Sequence, residues 1–340
     1  MASMALAARQ RSRLDVFVTS QFKTKCIPPP AETSFAGRTA IITGSNVGIG
    51  LETCRVMLRL GLSRLVMAVR TVAKGEAAAE PLRKAHPQAV IDVWPLDMLS
   101  YESIQAFAQS CAKLPQLDTV ILNAAVFPYE FKVAETGHEE AFQVNYLSTA
   151  LLSILLLPLL KAKHLGARPG RLTLISSSSA LSPEFLNRDA KPIIPSFDDT
   201  AYYGSYMERY STTKLLVLML THKLSQQVNA GDVIVTTVDP GYVGETSLHR
   251  TFTGIGAAIF GLLKRISSRN PQQGAWTYLD AVEVKGQEAH GGFIVDFNLH
   301  PFHTLMYTKE GLDAMERLWE ETMKELRFAD VASALQSLQV

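Results

Sequence analysis

Six short apolar runs, separated by stretches of helical character, constrain the fold of this chain more than any other feature. They are Thr39 to Thr43, Arg64 to Val69, Val90 to Pro95, Leu117 to Leu122, Arg171 to Ile175 and Val233 to Val238. Continuous rather than alternating apolar strands belong to sheets covered on both faces. The helical stretches between them supply the right-handed crossovers that parallel strands require. The expected fold is therefore α/β, a doubly wound parallel sheet with helices on both faces. Helices are expected after Gly50 to about Leu60, then over Thr71 to Ala85, Tyr101 to Ala112, Glu139 to Lys163 and Tyr210 to about Val228.

Composition narrows the class. With 340 residues, 47% hydrophobic and 19% charged, the chain can bury a large core, and one sheet of this kind implies one domain over 37–340. A net charge of +1 offers nothing to nucleic acid. Cys26, Cys54 and Cys111 are widely spaced and form no CxxC, which reads as reduced thiols with neither a disulfide frame nor a metal site. Met1 to Arg13 lacks the apolar core and cleavage pattern of a secretory signal; its arginines and lack of acids leave a mitochondrial presequence as an alternative to a plain surface helix, and a cytoplasmic chain is expected. Ala150 to Leu160 is too short to span a bilayer and contains Pro158, which favours a core helix.

Some segments fall outside the regular pattern. Residues 1–36 read as a peripheral arm stiffened by Pro28, Pro29 and Pro30. Ala180 to Tyr203 carries three prolines and reads as a long insertion. Tyr242 to Ser268 contains Ile255 to Leu263, which reads equally as a lid and as a packed helix. Both long segments should emerge where ligands bind, at the carboxyl ends of the strands. A charged helix, Lys309 to Arg327, should pack on the body.

Thr43-Gly44-Ser45-Asn46-Val47-Gly48-Ile49-Gly50 lies between the first strand and the first helix. Glycines there allow a tight turn and close approach of a pyrophosphate to a helix N-terminus, the signature of a Rossmann-type nucleotide site. An acidic residue ending the second strand would hold a ribose 2′-hydroxyl, whereas a base suits a 2′-phosphate. Here Arg70 follows Val69, with Lys74 beyond it, so the expected cofactor is NADPH/NADP+.

Tyr210 and Lys214 stand four apart, on one face of a helix. A phenol beside an ammonium is expected to have a lowered pKa and so to exchange its proton more readily. Of ten tyrosines, only Tyr210 has Lys at that offset. Such a spacing arises easily by chance, so its weight comes from the nucleotide turn elsewhere in the chain.

From Thr39 to Ala281 the sequence resembles the classical short-chain dehydrogenase/reductase family. The matching motifs, in family order, are Thr43-Gly44-x-x-x-Gly48-x-Gly50, Asp97, Asn123-Ala124-Ala125, Asn145, Ser177, Tyr210-x-x-x-Lys214 and Asp239-Pro240-Gly241. The chain is most similar to retinol-dehydrogenase-like and fungal secondary-metabolism members. The resemblance implies that Tyr210 transfers the proton, while Lys214 lowers its pKa and binds the nicotinamide ribose. Ser177, with Ser178 as the alternative, would hold the substrate oxygen, and Asn145 would hold a relay water. Cofactor contacts would come from Gly44, Ser45, Asn46, Gly48, Ile49, Gly50, Arg70 and Lys74. Further along, they would come from Asp97, Met98, Asn123, Ala124, Pro240, Gly241, Val243 and Thr246. The family pattern departs at the 33-residue interval from Ser177 to Tyr210 and at an extra residue before Thr246.

These features imply an NADPH-dependent ketoreductase acting on a bulky, mostly apolar carbonyl compound of polyketide type. The chain would be a monomer or homodimer, with no metal and no required membrane contact. The alternatives are a retinol- or steroid-type alcohol dehydrogenase at a membrane surface and a catalytically silent binding protein of the same fold.

Overall fold

A computed structural model describes residues 2–8, 13–164, 166, 168–244 and 268–339. Thr246 and the apolar segment Ile255 to Leu263 lie outside the described residues. The strands are β1 (Thr39–Thr43), β2 (Arg64–Val69), β3 (Val90–Pro95), β4 (Thr119–Leu122), β5 (Gly170–Ile175), β6 (Val233–Val238), β7 (Gly292–Val295) and β8 (Asn298–His300). They form one sheet in the order β3-β2-β1-β4-β5-β6-β7-β8. Neighbours are parallel through β7, and β8 returns antiparallel. The order reverses between β1 and β4, which opens a crevice at their carboxyl ends.

The helices are α1 (Arg13–Val18), α2 (Gly48–Arg59), α3 (Val72–Ala85), α4 (Tyr101–Cys111), α5 (Glu140–Lys163), α6 (Tyr206–Ser225), α7 (Pro271–Leu279), α8 (Lys309–Glu325) and α9 (Val331–Gln336). One face of the sheet packs on α2, α3 and α7, through residues such as Met57, Leu82 and Tyr278. The other packs on α4, α5 and α6, with α8 and α9 adding Leu318 and Leu335 to the same core. Every residue of β1, β4 and β6 is buried, which is why these strands read as continuous apolar runs. α5 is apolar enough to cross a membrane, yet most of it is buried in this core.

The structure corrects several expectations. β4 begins at Thr119 rather than Leu117, because the buried Asp118 carboxylate turns back to accept the Thr39 amide at 2.8 Å. β7 and β8 were not anticipated. They are short, and their turn uses Asp296 and Phe297 at φ 53° and 64°. α5 is not uniform either: Gln143–Leu147 is a π-helical turn.

The arm lies on the surface over most of its length but is anchored at several points. Ser3 is buried and accepts the Phe293 amide at 2.7 Å, and Val16 of α1 is buried as well. The segment Ala180 to Tyr203 is not a loose insertion. Phe185, Ile193 and Phe197 are fully buried in the main core. Glu321 of α8 accepts the amides of Ile193 and Ile194 at 2.9 and 2.8 Å. Phe197 stacks on Phe142 of α5 with centroids 4.1 Å apart and planes 4° from parallel. The buried Arg209 guanidinium also lies over Phe197, 4.9 Å from its centroid, with Glu139 4.0 Å from its Nε. The insertion is thus an integral layer, and Phe197→Ala should destabilise the chain by roughly 3–5 kcal/mol. A urea unfolding midpoint unchanged from wild type would contradict this packing role.

Candidate active site

The glycine turn leaves β1 with Gly44 and Gly48 at φ +63° and +59°. A Cβ on Gly50 would come within 2.7 Å of the Gly44 carbonyl oxygen and of Asn123 Nδ2, so only glycine lets α2 approach this closely. No side chain caps the α2 N-terminus at Val47, which leaves its first amides for a ligand.

In front of the turn lies a cavity of about 320 Å³. Gly44, Asn46, Gly48 and Ile49 form its floor. Arg70 stands at its exposed rim, and Asp97, Met98, Asn123 and Ala124 line the far side. An open helix terminus, a glycine cradle and a cationic rim fit a phosphorylated dinucleotide.

The remaining proposed cofactor residues are placed differently. Ser45 is buried, with its hydroxyl toward the Cys54 thiol. Lys74 is exposed in the first turn of α3 and does not line the cavity. Asn123 lines the wall, and its side chain donates to the Thr43 and Gly44 carbonyls at 3.0 and 3.3 Å and accepts from the Tyr278 hydroxyl at 2.9 Å. Asp97 accepts the Leu99 amide at 3.0 Å.

Beyond β6, Gly241 at φ +76° backs onto the Arg269 guanidinium, which donates to the Pro240 carbonyl at 3.0 Å. Val243 is buried and forms an isolated bridge with Arg269.

At the exits of β5 and β6, the structure brings Ser177, Tyr210, Lys214 and Asp239 together. Ser177 is the serine hydroxyl close enough to act on the Tyr210 phenol, whereas Ser178 bears through its backbone on Asp239. The serine run is therefore in the register that sets Ser177 against the phenol. Lys214 is buried, with Nζ donating to the Ile175 carbonyl at 2.9 Å and lying 5.7 Å from the Tyr210 ring centroid.

The expected lowering of the phenol pKa is not seen in this arrangement. Burial pushes Tyr210 well above its usual value and the Asp239 carboxylate adds to the rise, while the nearby Ser177 hydroxyl opposes it. Burial also lowers Lys214 to about 8. Desolvation is the largest cause of both shifts, and it disfavours the charged form of each group.

Asn145 sits in the π-turn of α5. Its amide donates to the Val126 carbonyl at 2.9 Å and to Thr213 Oγ1 at 3.0 Å, and its oxygen accepts the Val126 amide at 2.9 Å. Thr213 in turn donates to the Tyr210 carbonyl at 2.8 Å. The side chain therefore cross-links the β4 exit to the Tyr210 helix, and both of its N–H groups are used.

Sequence reasoning missed Arg269, Asp239 and Tyr278 as site residues. Asp239 opened the matched Asp239-Pro240-Gly241 motif but was given no role of its own. Arg269 and Tyr278 have no local signal, since their partners are distant in sequence.

A doubly wound sheet with a glycine cradle and a Ser-Tyr-Lys cluster at the strand ends defines a dinucleotide-dependent oxidoreductase. Residues 38–188 match the short chain dehydrogenase family. The chain is 48% identical over 328 residues to the short chain dehydrogenase/reductase mfmJ of Annulohypoxylon moriforme, covering 95% of this chain and 94% of that protein. It is 40% identical over 325 residues to the short chain dehydrogenase virL of Hypocrea virens, covering 95% and 94% respectively. A solved short chain dehydrogenase from Escherichia coli CFT073, complexed with NADPH, shares the fold with a TM-score of 0.57 at 20% identity, covering 78% of this chain and 99% of that one. The chain belongs to the short-chain dehydrogenase/reductase family and is an oxidoreductase of that family.

The lowered Lys214 value has a consequence for stability. Below about 8 the folded chain must hold a buried ammonium, whereas the unfolded chain holds a solvated one. This penalty is full below that pH and fades as pH rises toward the ordinary lysine value. The urea midpoint of the wild type relative to Lys214→Met should therefore rise between about pH 7 and about pH 9. A flat or falling difference would contradict the burial argument.

Proposed function

We propose that this enzyme uses NADPH to reduce a carbonyl of a bulky, mostly apolar substrate of polyketide type to an alcohol. The observation that carries this reading is the gathering of Ser177, Tyr210 and the buried Lys214 at the exit of β5. When bound, the reduced nicotinamide supplies the hydride that reaches the carbonyl carbon. Ser177 and Tyr210 converge on the position of the carbonyl oxygen, where negative charge grows as the carbon is reduced. Tyr210 then gives its proton to that oxygen. The phenol is protonated at neutral pH, the state needed for donation. Lys214, with its value near 8, is placed to return a proton toward the phenolate. Gly44, Gly48 and the open start of α2 would receive the pyrophosphate. Support for NADPH comes from Arg70, which stands exposed at the cavity rim with no ion pair among the described residues. An NADPH-complexed neighbour of the same fold is consistent with this.

Tyr210→Phe should reduce kcat for NADPH-dependent ketone reduction by roughly 100- to 10,000-fold while leaving NADPH affinity near wild type. Unchanged turnover of a responsive ketone would remove Tyr210 from the mechanism. Arg70→Ser should lower kcat/KM for NADPH by roughly 10- to 100-fold, the loss expected for one charge-assisted hydrogen bond, with little change for NADH. Equal losses with both cofactors in steady-state assays would show that Arg70 does not read the 2′-phosphate.

A further inference from the structure

Building on the carbonyl-reduction reading, we infer that the N-terminal arm forms one wall of the substrate cleft, and that the substrate is a flat, conjugated or aromatic carbonyl compound held between two aromatic faces. The sheet order supplies the frame. β5 lies between β4 and β6, so Ser177 at its exit is flanked by the β4 exit on one side and the β6 exit on the other. On the β4 side, Phe127 lies 4.8 Å from the Tyr210 ring centroid, 5.8 Å from that of Tyr206 and 4.9 Å from that of Tyr129. Tyr129 and Tyr206 remain 40% and 43% exposed, so this aromatic shelf opens outward beside the proton donor.

On the β6 side the wall comes from the arm. α1 packs against the short turn Ser178–Leu181 that directly follows Ser177. Phe17 of α1 meets Tyr242, the residue after Pro240-Gly241, edge to face at 5.9 Å, and remains 36% exposed. A buried clamp holds this wall in place. The Arg269 guanidinium donates to the Pro240 carbonyl at 3.0 Å, to the Ser20 carbonyl and hydroxyl at 3.3 Å each, and to Asp296. Ser20 donates to the same Asp296 carboxylate at 2.7 Å. One cation thus ties the arm, the Pro-Gly turn and the β7–β8 hairpin into a single unit. Aromatic rings on both flanks of the reacting oxygen favour a planar π-system over a saturated one. Ser20 and Arg269 act as positioning residues through this clamp, whereas Phe17 touches the substrate.

The test is equilibrium binding of 2-acetylnaphthalene to the full chain saturated with NADP+. The wild type should bind it saturably. Phe17→Ala should weaken binding about tenfold, Phe17→Tyr should restore it, and Ser20→Ala should weaken it less than Phe17→Ala. NADP+ affinity should stay unchanged in all three variants. No saturable binding to the wild type, wild-type affinity in Phe17→Ala, or equal losses of NADP+ and ketone binding would each overturn the inference. Because the readout involves no chemistry, its outcome is separate from that of Tyr210→Phe. A Tyr210→Phe variant that still consumed NADPH would sink the reaction reading and leave the aromatic wall standing.

Discussion

The site depends on one carboxamide. Asn145 joins the backbone of Val126, at the exit of β4, to Thr213 on α6, and Thr213 passes the connection to the Tyr210 carbonyl. The π-turn at Gln143–Leu147 surrounds this residue. Extra residues in a helical turn alter which side chains face inward, and such turns recur at functional sites. A regular α-helix would present a different side chain to the β4 exit. The helix of Tyr210 is therefore tied to the β4 exit through a π-helical turn, by hydrogen bonds whose loss would leave buried polar groups unpaired.

Burial gives the reacting groups their character. Tyr210, Lys214 and Asp239 are brought together where water is scarce, and each is displaced toward its neutral form. Asp239 is partly compensated, by the amides of Gly241 and Ser178 and by the nearby Arg269. A phenol held protonated by its surroundings is suited to give a proton to an oxygen that is gaining charge. The same environment penalises the ammonium of Lys214, so the lysine is poised close to neutrality instead of fixed as a permanent cation. Proximity of phenol and amine in sequence does not by itself dictate the sign of the shift, because desolvation and Coulomb attraction compete.

Much of the frame was legible because it is local. Strands such as Thr39–Thr43 and Val233–Val238 are buried along their whole length and read as apolar runs. The glycine turn has one residue type that fits its backbone, and the Tyr210–Lys214 spacing is a helical one. What escaped is held by long-range contacts. Ser20 meets Arg269 across 249 positions, and no periodicity within the arm reveals that partner. β7 and β8 have four and three residues, too few to show an alternation. The segment Ala180 to Tyr203 looked irregular since its prolines break helical patterns, yet Phe185, Ile193 and Phe197 are core residues whose partners lie on α5 and α8.

Insertion and arm together explain how a common nucleotide-binding sheet acquires a particular cleft. The insertion is fixed from below by the Phe142–Phe197 stack and by Arg209, a cation buried between Phe197, Tyr203 and Glu139. Glu208, one turn before Thr212, accepts the amides of Glu184 and Phe185, so the insertion is also tied to the helix that carries Tyr210. Tyr203 reaches across to the Pro128 carbonyl at 2.7 Å and holds the loop that bears Phe127. The arm is fixed from the opposite side by Arg269. A buried guanidinium cannot shed its charge and must find acceptors in a set geometry, which makes it a specifying rather than a permissive contact. The chain uses one such cation on each flank of the reacting oxygen: Arg209 registers the aromatic shelf at β4, and Arg269 registers the wall at β6. The central chemistry is thereby separated from the elements that select the substrate, since neither arginine contacts Ser177 or Lys214 while each holds a surface beside them.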